Sequence, residues 1–436
     1  MSENDSRPRR RRRGRRGAGG QQGGGDGGSS GANARGRRRR GRRPGGGGSG
    51  RSGGGAPLTR PEGEATLEVR GILQLGTRGE AYLRSREDAY APQPIDPVVP
   101  PELVERHGLE DGTEVDALAV PVESNRRGPW VETVRTLDGM EPEAWSKRTP
   151  FKNLVADTPH DRIRLEHAPD EISTRVVDLV SPIGKGQRCL IVAPPKAGKT
   201  VLLQQMAHAI SENHPEIELF VLLVDERPEE VTDWRRTTRG EVIASSSDEL
   251  AKNHVRVAEV LIERAKRLVE AGRDVVVLLD SITRLSRAYN AEQKSSGRVL
   301  SGGIDARTME KPRRVFGAAR NVENGGSLTV IGTALVDTGS RMDEVIFQEF
   351  KGTGNTEIVM DRKLFERRIF PCIDISQTGT RREEKLFSAE EYQRVTILRR
   401  ALAPLRSVEA MQLLVERLAK SKTNAEFLSN MLDGGR

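Results

Sequence analysis

Two hydrophobic periodicities divide the chain. Over residues 64–145, short apolar segments at 67–69, 72–75, 82–83, 115–120 and 130–134 alternate with polar stretches, interrupted by a Pro-rich run at 92–101 and by the Asp111-Gly112 turn. Short strands at this spacing predict a small β-barrel, and a generic β-domain satisfies the same pattern. After a linker over 146–170 the pattern becomes strand-helix alternation. Continuous apolar runs at 188–192, 219–224, 275–279 and 328–333 are separated by helices, one from 199 to 210 and one ending near Ala271. Strands that are apolar throughout are buried on both faces, so residues 171–436 read as an α/β domain with a parallel sheet covered by helices. The helix before Gly272 shows its period in Ala258, Leu261, Ile262, Ala265, Leu268 and Val269, with Glu263, Arg264, Lys266 and Arg267 off that face. The C-terminal region reads as helical, with capping boxes at Ser388 to Glu391 and Thr423 to Glu426.

Charge adds a third region. Of 436 residues, 71 are Lys or Arg and 63 Asp or Glu, a formal net charge of +8; residues 1–60 alone carry 17 Arg, no Lys and three acids, which leaves the remaining chain at −6. Residues 1–63 also hold many of the glycines and no aromatic side chain, too little apolar surface to offset ordering entropy, so a disordered Arg/Gly tail is expected. Its Arg runs at 9–13 and 37–40 suit a polyanion held through phosphates, and a solubilising tail has the same composition. No stretch approaches the roughly 18 to 20 apolar residues that span a bilayer, and the N-terminus lacks the apolar core of a signal peptide, so a cytoplasmic protein without a membrane partner is expected. Cys189 and Cys372 have no Cys-x-x-Cys spacing, which argues against a disulfide framework or zinc site.

The sharpest chemistry lies at residues 192–200, Val-Ala-Pro-Pro-Lys-Ala-Gly-Lys-Thr, after a predicted strand and opening a helix. In a P-loop the backbone N–H groups wrap phosphates, the Lys ammonium reaches the terminal phosphates and the Ser/Thr hydroxyl ligates magnesium. Lys199 and Thr200 take those places, although Ala193 stands where the motif has its first Gly. Asp280 closes the strand at 275–279, where a carboxylate holds Mg2+ or its waters, or caps the next helix. Glu226 follows the neighbouring strand on the same sheet edge, as a water-activating carboxylate or a surface salt bridge. Arg368 and Arg381 flank Phe370; in a ring of subunits an Arg from a neighbour can enter the nucleotide site. Loops at 294–304 and 337–341 carry Lys294, Arg298 and Arg341, suited to a phosphate backbone or to solvent.

The run at 191–200, together with 224–231 (Val-Asp-Glu-Arg-Pro-Glu-Glu-Val), 279–284 (Leu-Asp-Ser-Ile-Thr-Arg), 317–321 (Gly-Ala-Ala-Arg-Asn) and 337–344 (Asp-Thr-Gly-Ser-Arg-Met-Asp-Glu), resembles the Rho family of bacterial transcription termination factors over about residues 64–430. In that family the P-loop also starts with Ala. The resemblance implies a RecA-like ATPase domain preceded by an OB-fold, six copies forming a ring that binds single-stranded RNA, moves along it 5′ to 3′ using ATP and Mg2+, and releases the transcript from the RNA polymerase elongation complex. It implies that Lys196, Ala197, Gly198, Lys199, Thr200 and Val201 surround the phosphates. Gly184, Lys185, Gly186, Gln187, Arg188, Cys189 and Arg227 are to border the nucleotide, with Phe370 near the adenine. Glu226 is implied as the catalytic carboxylate, Thr200 and Asp280 as the Mg2+ residues, Arg381 as the finger acting in trans and Arg368 as support for the γ-phosphate. Residues 295–304 and 338–341 match the family's RNA-gripping loops through Arg298, Ser340 and Arg341.

This chain departs from the family's pattern at two places. The Arg/Gly tail stands where a small helical domain is usual, and the base-stacking stretch is Gly79-Glu80-Ala81-Tyr82-Leu83-Arg84, with an acid at one aromatic position. A base stacked on an aromatic ring is worth about 1 to 3 kcal/mol, so weaker primary RNA binding is expected unless Tyr82, Arg84, Trp130 and the tail compensate. Another hexameric RecA-like ATPase, a DNA helicase or rotary type, carries many of the same motifs. An RNA-binding protein with a structural nucleotide site is the alternative outside enzymes, and it has no use for Glu226 beside Asp280.

Overall fold

The computed structural model describes residues 59–122, 127–292, 303–304 and 307–433. The Arg/Gly tail to residue 58, Lys294 and Arg298 therefore lie outside the described residues.

Five strands form the first body: β1 (Leu67–Leu75), β2 (Ala81–Arg84), β3 (Val98–Val99), β4 (Glu114–Val120) and β5 (Trp130–Leu137), closed in the order β1-β2-β3-β5-β4. Helix α1 (Pro101–His107) sits between β3 and β4, and β3 pairs with β5 in parallel, the plan of an OB-like barrel. Val115, Ala117 and Ala119 of β4 alternate inward to meet Leu73, Leu83, Val131 and Leu137. The apolar pattern breaks at Arg70-Gly71, yet β1 runs through, because β2 pairs with one of its edges and β4 with the other.

The stretch expected as a linker is ordered. Trp145 and Phe151 are buried, residues 156–157 join the large sheet through Arg320–Val322, and Arg162–Ile163 pairs with Ile183–Gly184. Then come β6 (Arg188–Ala193), β7 (Glu218–Glu226), β8 (Glu241–Ser246), β9 (Asp274–Asp280), β10 (Ser327–Leu335), β11 (Thr356–Val359) and β12 (Gly379–Thr380), in sheet order β8-β7-β9-β10-β6-β11-β12. All neighbours are parallel except β11 and β12. The interposed helices are α2 (Lys199–Asn213), α3 (Pro228–Thr237), α4 (Ala251–Glu270), α5 (Ile282–Glu292) and α6 (Arg341–Lys351). One sheet face, with Ile191, Val221 and Leu278, packs on α2 and on the C-terminal helices α7 (Ala389–Leu402) and α8 (Ser407–Leu418). The other, with Val192, Leu222 and Val277, packs on α4 and α5. At both expected capping positions the cap hydroxyl takes the helix's third amide: Ser388 Oγ accepts from Glu391 N at 3.1 Å, and Thr423 Oγ1 from Glu426 N at 3.1 Å.

The barrel rests on α4 through the turn at Asp111-Gly112. Gly112 has φ +86°, and a Cβ there would lie 2.3 Å from the Arg264 backbone N, so only glycine lets the turn approach the helix this closely. No described helix is long and apolar enough to cross a membrane, and Cys189 and Cys372 are both buried free thiols.

Candidate nucleotide site

A parallel sheet collects its functional loops at the carboxyl ends of its strands. The 194–198 loop leaves β6 there and opens α2, with Gly198 at φ +83° and Lys196 at φ +61°. At the same edge Asp225 and Asp337 also hold left-handed backbone, at φ +57° and +54°. Such geometry costs a non-glycine residue roughly 1 to 2 kcal/mol and clusters at functional sites.

Lys199 Nζ forms an ion pair with Asp280 Oδ1 and lies 3.7 Å from Glu226 Oε1. Asp280 is 1% exposed and its Oδ1 also accepts from Thr333 Oγ1 at 2.8 Å. Ser281, rather than Asp280, accepts the hydrogen bond of the first turn of α5, from Arg284 N at 3.2 Å. Asp280 is therefore free of helix capping, and its Oδ2 is buried without a hydrogen-bond partner among the described residues. A buried, unsatisfied carboxylate oxygen beside a P-loop fits a hydrated divalent cation.

Glu226 ends β7 at a register shift against β8, where the bulge at Asp225 turns the chain. It is 4% exposed and lies between Lys199 and Arg284, whose Nε is 3.4 Å from Glu226 Oε1. Arg284 also donates to the Asp225 carbonyl at 2.5 Å. Burial, and next the charge of Asp280, push the Glu226 carboxyl up to about 7, against the opposing pull of Lys199 and Arg284. This site therefore holds a carboxylate that exchanges a proton near neutrality.

Phe370, Ala197, Gly198 and Val201 line one pocket of about 330 Å3, with Cys372 and Phe365. The Phe365 and Phe370 rings meet edge to face at 5.9 Å, and the exposed Arg368 guanidinium lies 5.5 Å from the Phe365 ring. Thr200 and Val201 occupy the first turn of α2, Lys196 is exposed on the loop, and Arg227 is exposed at the start of α3.

Other expected nucleotide contacts lie away from the P-loop of their own chain. Gly184, Lys185, Gly186 and Gln187 precede β6, at the end opposite the 194–198 loop, about 17 Å away along five residues of strand. Lys185 Nζ pairs there with Asp274 at 2.6 Å, Gly186 N donates to Thr329 Oγ1, and Gln187 Nε2 donates to Asn355 Oδ1. Arg188 is spent on the carbonyls of Thr353 and Ala319, and Cys189 is fully buried in the core. Arg381 lies at the same far end, its N–H bonded to the Asn355 carbonyl, so it does not reach its own chain's P-loop.

On the barrel the expected RNA-contact residues are packed as follows. Arg84 is buried in an ion pair with Asp96 and donates to Gln74 Oε1 at 2.8 Å, so it is not an open cation. Trp130 is 8% exposed, packed with Val98 and Val120 under the Arg127 guanidinium, so it presents no open stacking face. Tyr82 is half-buried, with the Arg84 guanidinium 5.0 Å from its ring. Glu80 folds back on its hairpin, accepting from Arg78 N at 3.0 Å. In the second loop, Arg341 is exposed at the start of α6 and Ser340 Oγ caps that helix from Asp343 N at 3.4 Å. Buried Asp343 holds Arg287 through two bonds of 2.8 and 2.6 Å, and Thr338 Oγ1 at 2.7 Å.

Sequence reasoning gave no role to Arg284, Thr333 or Arg287. Arg284 had a signal, since it stands four residues after Asp280, one helical turn on; Thr333 and Arg287 join the site only through strand and helix pairing.

Residues 173–379 match the model of the ATP synthase alpha/beta family, nucleotide-binding domain. Over 364 residues the chain is 51% identical to transcription termination factor Rho of Cereibacter sphaeroides, covering 83% of this chain and 86% of that protein. The chain belongs to the Rho family. It is a transcription termination factor with an ATP-hydrolysing P-loop domain behind an OB-like barrel. A second Rho relative, from Haemophilus influenzae, is 50% identical over 364 residues, 83% of this chain and 87% of that one. A solved type III secretion ATPase of pathogenic bacteria shares the fold at TM-score 0.54 and 19% identity, over 72% of this chain and 93% of that chain. Among Rho-family residues quoted from the sequence, Lys199, Glu226 and Asp280 meet in one buried cluster.

Proposed function

We propose that this chain is an RNA-dependent ATPase that assembles as a hexameric ring, translocates on single-stranded RNA 5′ to 3′ and frees the transcript from RNA polymerase in the cytoplasm. The observation that carries the reading is the Lys199, Glu226 and Asp280 cluster at the mouth of the P-loop. A binding-only site gains nothing from a buried carboxylate with its proton affinity raised to about 7.

In this reading the P-loop amides and Lys199 cradle the β- and γ-phosphates, and the adenine enters the pocket lined by Phe370 and Val201. Thr200 and Asp280 hold Mg2+, which supplies charge neutralisation at the phosphates when bound. Glu226, ionised, accepts a hydrogen bond from the attacking water and orients it toward the γ-phosphorus; Arg284 holds that carboxylate in place. Arg381, at the far end of β6, supplies its guanidinium to the neighbouring subunit's γ-phosphate, with Arg368 supporting that phosphate. Arg341 and Arg298 grip the RNA backbone in the ring's centre, and Tyr82 with the Arg/Gly tail carries primary RNA binding.

Glu226→Gln keeps shape and hydrogen-bonding capacity but removes the proton acceptor. Nucleotide binding, followed by fluorescent ATP analogue titration, should change less than about threefold while turnover falls at least about 100-fold. Turnover retained within tenfold would remove Glu226 from the mechanism.

A further inference from the structure

The barrel and the ATPase domain are clamped by a set of charges, Arg264 and Arg267 among them buried, that the hydrolysis mechanism does not use. Beside the Gly112 contact, Arg264 of α4 pairs with Glu114 at 2.8 Å and with Asp138, and Arg267 pairs with Glu110. A second cluster lies at the start of β8. Tyr90, fully buried and at φ +60°, donates its hydroxyl to Glu241 Oε1 at 2.7 Å. Arg86 reaches Glu241 Oε2 at 3.3 Å, and Arg256 of α4 donates to the Tyr90 carbonyl.

Glu241 is the first residue of β8, paired with Phe220 of β7; at the other end of the same strand Ser246 pairs with Glu226, and Ser247 N donates to the Glu226 carbonyl at 2.9 Å. One six-residue strand thus has a barrel tyrosine at one end and the catalytic carboxylate at the other. The barrel segment that supplies Arg86 and Tyr90 leaves directly from β2, which carries Tyr82. Backbone pairing makes β8 stiff along its length, so a displacement imposed on Glu241 reaches Glu226 rather than dissipating in a loop.

We propose that Tyr90 and Glu241 are positioning residues that transmit RNA occupancy of the barrel to Glu226 through β8. This rests on the RNA-dependent reading above. It assigns the interdomain hydrogen bond a task apart from holding the domains together, to which the ion pairs of Arg264 and Arg267 contribute.

The test uses the full chain and two shape-conserving variants, Tyr90→Phe and Glu241→Met, which lack the donor and the acceptor of that bond, with their double variant. ATPase rates are measured without nucleic acid and with saturating cytidine-rich RNA, alongside RNA affinity and melting temperature. RNA-stimulated kcat should fall about fivefold, the worth of one hydrogen bond of about 1 kcal/mol, while basal rate and RNA Kd change less than about twofold. The double variant should be no worse than Glu241→Met alone, since both single changes remove the same Tyr90–Glu241 bond. Undiminished stimulation, or additive losses in the double variant, would overturn the proposal. So would a parallel fall of basal and stimulated rates, the mark of a merely structural contact. A wild-type protein that RNA fails to stimulate would overturn the RNA-dependent reading and the proposal with it, an outcome visible before any variant is compared.

Discussion

The raised proton affinity of Glu226 makes the pH dependence of hydrolysis predictable. With its carboxyl titrating near 7, the ionised fraction is about 9% at pH 6 and about 91% at pH 8. If only the ionised form activates water, kcat/KM for ATP should rise roughly tenfold between those values and level off above pH 8. The group's folded value lies above its ordinary carboxylate value of 4.5, so the folded protein binds the extra proton between those limits. Stability from this group is therefore present below pH 4.5 and lost as pH rises through 7, a difference on the order of 3 kcal/mol. Glu226→Gln removes both effects: its residual kcat/KM should be flat from pH 6 to 8, and its melting temperature should decline less than wild type over the same range. Steady-state ATPase assays at constant ionic strength, paired with thermal melts, read both. A wild-type profile flat from pH 6 to 8, or a rise that persists in Glu226→Gln, would refute the assignment of Glu226 as the titrating base.

Three further outcomes follow from the geometry. Arg284→Met removes a charge that lowers the Glu226 proton affinity, so the rising limb of the pH profile should move above 7, with activity lost at pH 7 and recovered toward pH 9. Gly112→Ala forces a Cβ to within 2.3 Å of the Arg264 backbone at a positive φ, and should cost about 2 to 4 kcal/mol in denaturant unfolding. Lys199→Ala and Arg381→Ala should each abolish turnover alone, whereas mixed one to one before assembly they should restore activity at about a quarter of interfaces; no recovery would mean that Arg381 does not act across subunits.

Four strands of the α/β domain, β6, β7, β9 and β10, are legible because each is a continuous apolar run, which the strand extends by only one to three residues. β8 and α3 are not. β8 is an edge strand with only Val242, Ile243 and Ala244 apolar, so the sequence reads as polar spacer before α4. Order within 146–170 leaves no periodic signal, because Phe151 is buried singly and the strands at 156–157 and 162–163 are two residues long. At the site, Lys199, Glu226 and Asp280 were identifiable since each follows an apolar strand on the carboxyl edge. At the barrel, sequence shows an Arg and a Trp on two strands, and only packing shows that Asp96 pairs with the first and that Val98 and Val120 pack on the second.

ATP hydrolysis by the full chain, measured without nucleic acid, with cytidine-rich RNA and with single-stranded DNA at a fixed salt concentration, tests the central claim most directly. Strong stimulation by RNA and little by DNA is the predicted result. A rate indifferent to RNA, or one raised equally by DNA, would contradict an RNA-driven motor and leave the Lys199, Glu226 and Asp280 cluster serving another task.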